Sequence, residues 1–146
     1  MVNGRTEGVP GRSDSRRHPD VVVIITLSER PERAEMVYEE CRAAFEATSY
    51  DPDFVLVAEP WAGRYLEPFR DRRSRGEPVQ LLVAGQTVGE TALIRSAVAE
   101  VDADVILTLP AYPRVDAAVL PVLVDRIAAG ADMAVARRWP RLALLQ

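Results

Sequence analysis

The sequence predicts a layered α/β domain with a mainly parallel sheet, and three features of the pattern lead to this expectation. Short apolar runs rich in β-branched residues recur along the chain. Segments with apolar residues at helical spacing separate these runs, and glycine, proline and aspartate mark the joints between them. Because strands that alternate with helices build βαβ units with right-handed crossovers, we expect a Rossmann-like three-layer α/β/α arrangement.

The strands are predicted from the apolar runs. The first run, over 21–27, is continuous and therefore typical of a strand that is buried on both faces. Four further strands are expected at 54–58, 79–84, 105–109 and 132–136. All five would belong to one sheet.

The helices are predicted between these runs. Pro31 suits a first helical turn. The apolar residues that follow it at helical spacing are Met36, Val37, Cys41, Ala44 and Phe45. A second helix is expected over 63–76, where Pro68 must start or kink it. Two more are expected over 90–101 and 117–129, and the inward residues of the former are Leu93, Ile94, Ala97 and Val98.

One domain accounts for most of the 146 residues. Residues 1–19 are rich in Gly, Arg and Ser without an apolar core, which predicts a disordered leader and not a secretory signal. The domain is expected over 20–138, followed by a C-terminal tail over 139–146. Since no apolar run approaches the ~18 residues that a membrane span needs, we expect a cytoplasmic protein without a span.

Composition excludes several classes of function. A net charge of −4 argues against a general nucleic-acid or anionic-membrane binder. All 18 basic residues are arginine. With one cysteine, Cys41, the chain cannot form an internal disulfide or a cysteine-based zinc site. The single histidine, His18, lies in the predicted leader, so no Ser-His or Cys-His pair is expected in the folded part. Cys41 is expected to be a buried, inert thiol.

Two early segments resemble the motifs of a known enzyme family. Residues 22–29 are VVIITLSE, where that family typically has a Val-Val-Ile-Pro-Thr-Leu-Asn-Glu type sequence at the end of its first strand. Residues 57–61 are VAEPW, where the family commonly has Val-Asp-Asp-Gly-Ser. Glu59 therefore provides a carboxylate at one of the two Asp positions of that motif.

Later motifs follow in the same order and without gaps. Arg95 matches the arginine of an Ala-Leu-Arg-x-Gly helix, and Pro121 matches a Leu-Pro helix. Gly-Ala-Asp at 130–132 and then Arg138 match the ending of the conserved region. Over about 21–138 the chain thus resembles the nucleotide-sugar-binding part of a family-2-type glycosyltransferase with a GT-A fold, such as the polyprenyl-phosphate mannosyl- or glucosyltransferases.

The resemblance implies transfer of a sugar from a nucleoside-diphosphate sugar to a lipid or glycan acceptor. In the family an Asp-x-Asp pair binds the Mg²⁺ or Mn²⁺ that bridges the diphosphate. Those positions fall on Pro110 and Tyr112, which offer no carboxylate. Asp116 is expected to cap the following helix, and Asp102 and Asp104 precede the strand at its opposite end. We therefore expect a degenerate site with neither a metal nor another cofactor.

The activity itself stays open at this stage. The chain stops just after Arg138, whereas the later half of the family supplies the acceptor surface and the catalytic base, so no catalytic residue can be assigned. The first hypothesis is a partial or degenerate glycosyltransferase. The alternative is a non-catalytic regulatory or scaffolding module with a protein partner or a second copy of itself. A receiver-like domain is disfavoured because such a domain would carry a lysine late in the chain.

Five residues are candidates for nucleotide binding, and each has a structural alternative. Because the carboxyl ends of parallel strands share one edge of the sheet, the loops after the first, second and fourth strands are expected to form one crevice, lined by Ser28, Glu29, Glu59 and Tyr112. Glu29 and Glu59 could accept hydrogen bonds from a base or ribose there, or be solvated loop acids. Ser28 could contact a nucleotide or cap the helix near Pro31. Arg95 could neutralise a phosphate or be solvated. Tyr112 could stack on a base or fill the crevice.

The loop 85–89 and Trp61 are weaker candidates. The loop precedes a helix and has some features of a phosphate cradle, but it lacks a glycine-rich fingerprint, so a structural turn is preferred. Trp61 follows a predicted strand and has the same two alternatives as Tyr112.

Overall fold

The computed structural model describes residues 19–112 and 115–136, and within them four strands form one fully parallel sheet. The strands are β1 (Val21–Leu27), β2 (Asp53–Ala58), β3 (Val79–Val83) and β4 (Val105–Pro110), in the order β3-β2-β1-β4. The helices are α1 (Ala34–Glu46), α2 (Glu67–Ser74), α3 (Glu90–Ala99) and α4 (Val119–Ala128). The predicted α/β class and parallel sheet are confirmed. Residues 1–18 of the predicted leader, Arg138 and the tail 139–146 lie outside the described residues.

The central strand carries the core on both of its faces. Every residue of β1 is buried, and β1 pairs in parallel with β2 on one side and β4 on the other. Val23, for example, lies between Phe54 and Leu107. Odd-numbered residues of β1 pack against α1, α2 and α4, whereas Val22 and Ile24 pack against α3. The continuous apolar run therefore builds two cores, one on each face of the sheet.

The predicted fifth strand over 132–136 is wrong. The structure describes these residues, and they are not in a strand. Met133 and Val135 are 75% and 73% exposed. The helix α4 lies on the same face as α1. From that face, a parallel strand added outside β4 would need a left-handed crossover, which parallel sheets almost never use. The side on which α4 packs thus disfavours this apolar run as a parallel strand beside β4.

The helices match the predicted segments with local corrections. Residues Pro60–Leu66 form a 3₁₀ helix that leads into α2, so the helix predicted over 63–76 begins earlier and changes type. Pro68 lies in the first turn of α2 and Pro121 in the first turn of α4, where a missing N–H costs no intrahelical bond. Val98 was expected to face inward but is exposed, and Met36, one of the apolar residues at helical spacing, is exposed as well.

A polar cluster connects α1 and α2 to Glu77, which lies two residues before β3. The Tyr38 hydroxyl donates to Glu77 at 2.6 Å, and Arg42 and Arg72 lie 3.1 and 3.5 Å from the same carboxylate. Arg72 also pairs with two acids of α1, Glu35 and Glu39. The Tyr38 hydroxyl and the two guanidinium groups lower the pKa of Glu77, against its partial burial. Burial and this hydrogen bond raise the pKa of Tyr38.

Across residues 19–112 and 115–136, none of the helices combines the length and the apolar character that crossing a bilayer would require.

Candidate functional site

The strand order places a crevice between the carboxyl ends of β1 and β4. The chain moves from β1 to β2 and β3 in one direction, and β4 then joins the opposite side of β1. In open parallel sheets, ligands bind where the strand order reverses, beyond the carboxyl ends of the strands. For this chain the reversal lies between β1 and β4, so the residues after these two strands define the candidate site.

Two of the predicted site residues meet across this crevice. Glu29 follows β1 and Tyr112 follows β4, and the Tyr112 hydroxyl donates to a Glu29 carboxylate oxygen at 3.3 Å. Glu29 is exposed and Tyr112 is half-buried. The two residues are 83 positions apart in sequence, and only the parallel pairing of β1 with β4 brings them together.

The Tyr112 side chain also contributes to a small apolar cavity between α1 and α4. The cavity has a volume of about 30 Å³. Its lining includes Cys41, Pro110 and Leu120. Burial raises the pKa of the Cys41 thiol to about 12, so the thiol is protonated at neutral pH, which agrees with the inert thiol expected from the sequence. Tyr112 therefore combines a packed ring with a hydroxyl that reaches the crevice.

Arg30 is a residue that the sequence analysis missed. Its backbone has φ 46° and ψ 53°, which makes it a non-glycine residue in the left-handed region. Such conformations cost free energy and concentrate at binding sites. Pro31 follows it, and a residue before proline is disfavoured in the right-handed helical region. This sequence signal marks a break at Arg30, although it does not specify the left-handed conformation.

Ser28 lies next to this break and is partly exposed. The 3₁₀ helix at Pro31–Arg33 has Arg30 as its N-cap, and no side chain caps it. The capping interpretation of Ser28 is therefore not supported within the described residues. Ser28 remains beside Glu29 at the carboxyl end of β1.

Glu59 is placed on the other side of β1, and its carboxylate is used by the chain itself. The residue is 2% exposed. Its carboxylate accepts hydrogen bonds from the Gly89 N–H at 2.6 Å and the Val88 N–H at 3.1 Å. These N–H groups precede α3, whose N-cap is Gly89. Glu59 is thus not a solvated acid. Its hydrogen bonds also do not involve the Glu29–Tyr112 pair.

The remaining candidates do not enter the crevice between β1 and β4. Arg95 is exposed in the middle of α3, on the opposite face of the sheet from α1. Trp61 is 52% exposed in the 3₁₀ helix after β2. Asp116 accepts from the Ala118 N–H at 3.0 Å in the turn before α4. It is not the expected helix cap, because α4 begins at Val119 with Ala118 as its N-cap and without a side-chain cap.

The chemistry of the donor set after β4 does not fit a divalent metal. Pro110 lacks a side-chain donor, and the Tyr112 phenol donates to Glu29. Within the described ranges 19–112 and 115–136, no three His, Cys, Asp or Glu side chains are grouped so that they could hold a metal ion. Pro110 is also compatible with the sheet. The Val105 N–H donates to Asp20, just before β1, and the Ala111 N–H donates to Thr26 of β1, so the backbone nitrogen of Pro110 faces away from β1.

Comparison with solved structures finds a similar fold in part of a mannosyltransferase. The chain superposes on the mannosyltransferase PcManGT from Pyrobaculum calidifontis, a structure in complex with GDP-Man and Mn²⁺, with a TM-score of 0.53 and 12% identity. The two proteins share a fold. The match covers 65% of this chain and 28% of the mannosyltransferase, so the present chain corresponds to less than a third of that protein. The sequence matches no protein-family model. It also matches no curated protein.

Proposed function

We propose that this chain is a glycosyltransferase-like domain that binds the nucleoside part of a nucleoside-diphosphate sugar between the carboxyl ends of β1 and β4. The contact between Glu29 and Tyr112 across the strand-order reversal is the observation that carries the proposal. An exposed carboxylate beside an aromatic ring suits a nucleoside, because the carboxylate accepts from base or ribose donors while the ring offers a stacking face. Ser28 supplies a further hydroxyl beside them.

The diphosphate end would be bound weakly. In the transferase with the shared fold, the structure contains Mn²⁺ together with GDP-Man. In this chain, Pro110 at the end of β4 and Tyr112 just after it stand in place of hard carboxylate ligands. Arg30 and backbone N–H groups would be the nearest counter-charge to a diphosphate, and an exposed guanidinium contributes little in water. A nucleoside should therefore bind about as tightly as the complete nucleoside-diphosphate sugar.

Binding is best tested by calorimetric titration with uridine, guanosine, their diphosphates and GDP-mannose, with and without Mn²⁺. Glu29→Ala and Tyr112→Phe remove the two halves of the bridge, and each should weaken nucleoside binding. Glu32→Ala is the matched control, because Glu32 is exposed one turn further along the chain. Tight diphosphate binding that requires Mn²⁺ would contradict the proposal, as would equal affinity in all variants.

Catalysis is the second part of the proposal. We expect the purified chain to show no metal-dependent sugar transfer or donor hydrolysis, since a bridging metal has no carboxylate pair after β4. Product formation from uridine- and guanosine-diphosphate sugars with Mg²⁺ or Mn²⁺ tests this. Turnover that disappears with a chelator would refute it. Lipid or glycan acceptors belong in the panel because the resembled family uses them.

A non-catalytic scaffolding role is the alternative, and the internal use of Glu59 favours it. Glu59 matches a carboxylate of the resembled motif, yet it accepts hydrogen bonds from the start of α3. Such a structural role is expected of a domain that acts through its folded surface and not through a bound nucleotide. If no nucleoside or nucleotide binds, while the protein self-associates or captures a partner, the scaffolding hypothesis replaces the first. A cytoplasmic location stays a prediction under both.

A further inference from the structure

The most deeply buried carboxylate of the described residues has no part in the proposed nucleoside site. Glu59 is 2% exposed, ends β2, and lies on the side of β1 away from β4. Burying an ionised carboxylate is costly unless strong donors replace the water it loses. Its hydrogen-bond partners therefore indicate what this residue does.

Those partners are backbone N–H groups at the start of a helix. Gly89 donates to one carboxylate oxygen at 2.6 Å, while the Val88 N–H lies 3.1 and 3.3 Å from the two oxygens. The Gly89 carbonyl then accepts the first helical bond, from the Leu93 N–H at 3.1 Å. Free N–H groups and the positive end of the helix dipole make this the usual place for an external anion. In this protein the Glu59 carboxylate already occupies the position in front of α3.

The loop that carries these donors is held over the sheet at both ends. The Ala84 N–H donates to the Ala58 carbonyl at 2.9 Å, which continues the pairing of β3 with β2. At the other end, the buried Thr26 hydroxyl donates to Glu90 at 2.8 Å. Gly89 has φ 86°, a conformation that suits glycine and lets the two neighbouring N–H groups point to one carboxylate. The donors are therefore positioned by the fold as well as by Glu59.

We propose that Glu59 is a built-in anion that closes a latent oxyanion site formed by the N–H groups of Val88 and Gly89. With Glu59 in place, phosphate or carboxylate groups of a ligand are excluded from the start of α3. Removal of the side chain leaves a pre-formed pair of donors beside a vacated space of the size and polarity that bind formate or phosphate. This inference stands apart from the proposed nucleoside site, because it uses neither Glu29 nor Tyr112.

The test compares Glu59→Ala with Glu59→Gln and the natural chain. Alanine empties the position, whereas glutamine fills it without charge and keeps one oxygen acceptor. Thermal unfolding is followed in sodium formate and in sodium phosphate, each against sodium chloride at equal ionic strength. At about ten times the dissociation constant, a bound anion should raise the midpoint of Glu59→Ala by roughly 5 °C. The midpoints of Glu59→Gln and the natural chain should not change.

A second measurement covers the case in which Glu59→Ala is too unstable to fold in chloride. Formate should then increase its folded fraction, measured by circular dichroism, and the backbone amide resonances of Val88 and Gly89 should shift with formate concentration. Equal responses of all three proteins to formate would overturn the proposal. A folded Glu59→Ala whose midpoint and amide resonances ignore both anions would overturn it as well.

Discussion

The two sides of β1 use the same kind of residue in opposite ways. After β2, Glu59 is buried, and two backbone N–H groups of the chain occupy its carboxylate. After β1, facing β4, Glu29 is exposed and has a single phenol as its hydrogen-bond partner within the described residues. The first acid holds a helix in place, and the second remains accessible to a ligand. A carboxylate at a strand end is available to a ligand only when the chain has not already satisfied it with its own donors.

The largest expected difference between the two sides is in stability. Glu59→Ala should lower the free energy of unfolding by about 3 kcal/mol, because buried N–H groups lose a charged acceptor. Glu29→Ala should change it by less than about 0.5 kcal/mol, as exposed substitutions usually do. Urea-induced unfolding of both variants measures this. Similar losses for the two would remove the distinction between the sides.

The hydrogen bond between Thr26 and Glu90, which also holds the start of α3, should contribute less to stability than Glu59 does. Thr26→Val keeps the shape of a fully buried side chain but removes the hydrogen bond to Glu90. We expect a loss of about 1.5 kcal/mol. A double-mutant cycle with Glu90→Ala assigns the loss to this contact: if Thr26→Val costs as much without Glu90 as with it, the hydrogen bond does not anchor α3.

On the β4 side, the backbone of Arg30 can be tested independently of any ligand. At φ 46° glycine avoids the steric cost that alanine suffers in the left-handed region. Arg30→Gly should therefore be more stable than Arg30→Ala by about 1 kcal/mol. The reverse order in chemical denaturation would mean that the left-handed conformation is not held in solution. Should the order hold, nucleoside binding by Arg30→Gly shows whether the side chain or only the bend serves the site.

The polar cluster before β3 is a reference region away from both sides, and its effect should be the smallest. The pKa of Glu77 lies below its ordinary value of 4.5, chiefly because the Tyr38 hydroxyl donates to it, with further contributions from Arg42 and Arg72. In the unfolded chain Glu77 is protonated first as the pH falls. Stability from this cluster is therefore present above the unfolded pKa and is lost as the pH falls through the folded pKa.

Glu77→Gln should accordingly flatten the pH dependence of stability. Between about pH 5 and about pH 3, the melting temperature of the natural chain should fall more steeply than that of the variant. Glu32→Gln, at an exposed position, provides the control. Parallel curves for the natural chain and Glu77→Gln would show that the cluster does not stabilise the fold electrostatically.

Much of the fold was predictable because its signals are local. Four of the five predicted strands and all four helical segments are present, since β-branched runs and helical periodicity report burial directly. Asp116 was expected to cap the helix over 117–129, but that helix begins later, and Asp116 accepts an N–H two residues away in the turn before it. One crevice lined by Ser28, Glu29, Glu59 and Tyr112 was expected from the rule that parallel strands end at one edge. The structure joins Glu29 to Tyr112, whereas Glu59 is bonded to the start of α3.

The sequence by itself determined the α/β class, the central buried strand and the lack of a carboxylate pair after β4, because these depend on residue type and on neighbours a few positions away. Only the tertiary structure decided three further features. The face on which α4 packs disfavours a parallel pairing of residues 132–136 with β4, since crossover handedness depends on three elements at once. The fate of Glu59 depends on N–H groups 29 and 30 residues away. The left-handed bend at Arg30 arises where β1 turns into the helix, and residue preference alone would not place an arginine there.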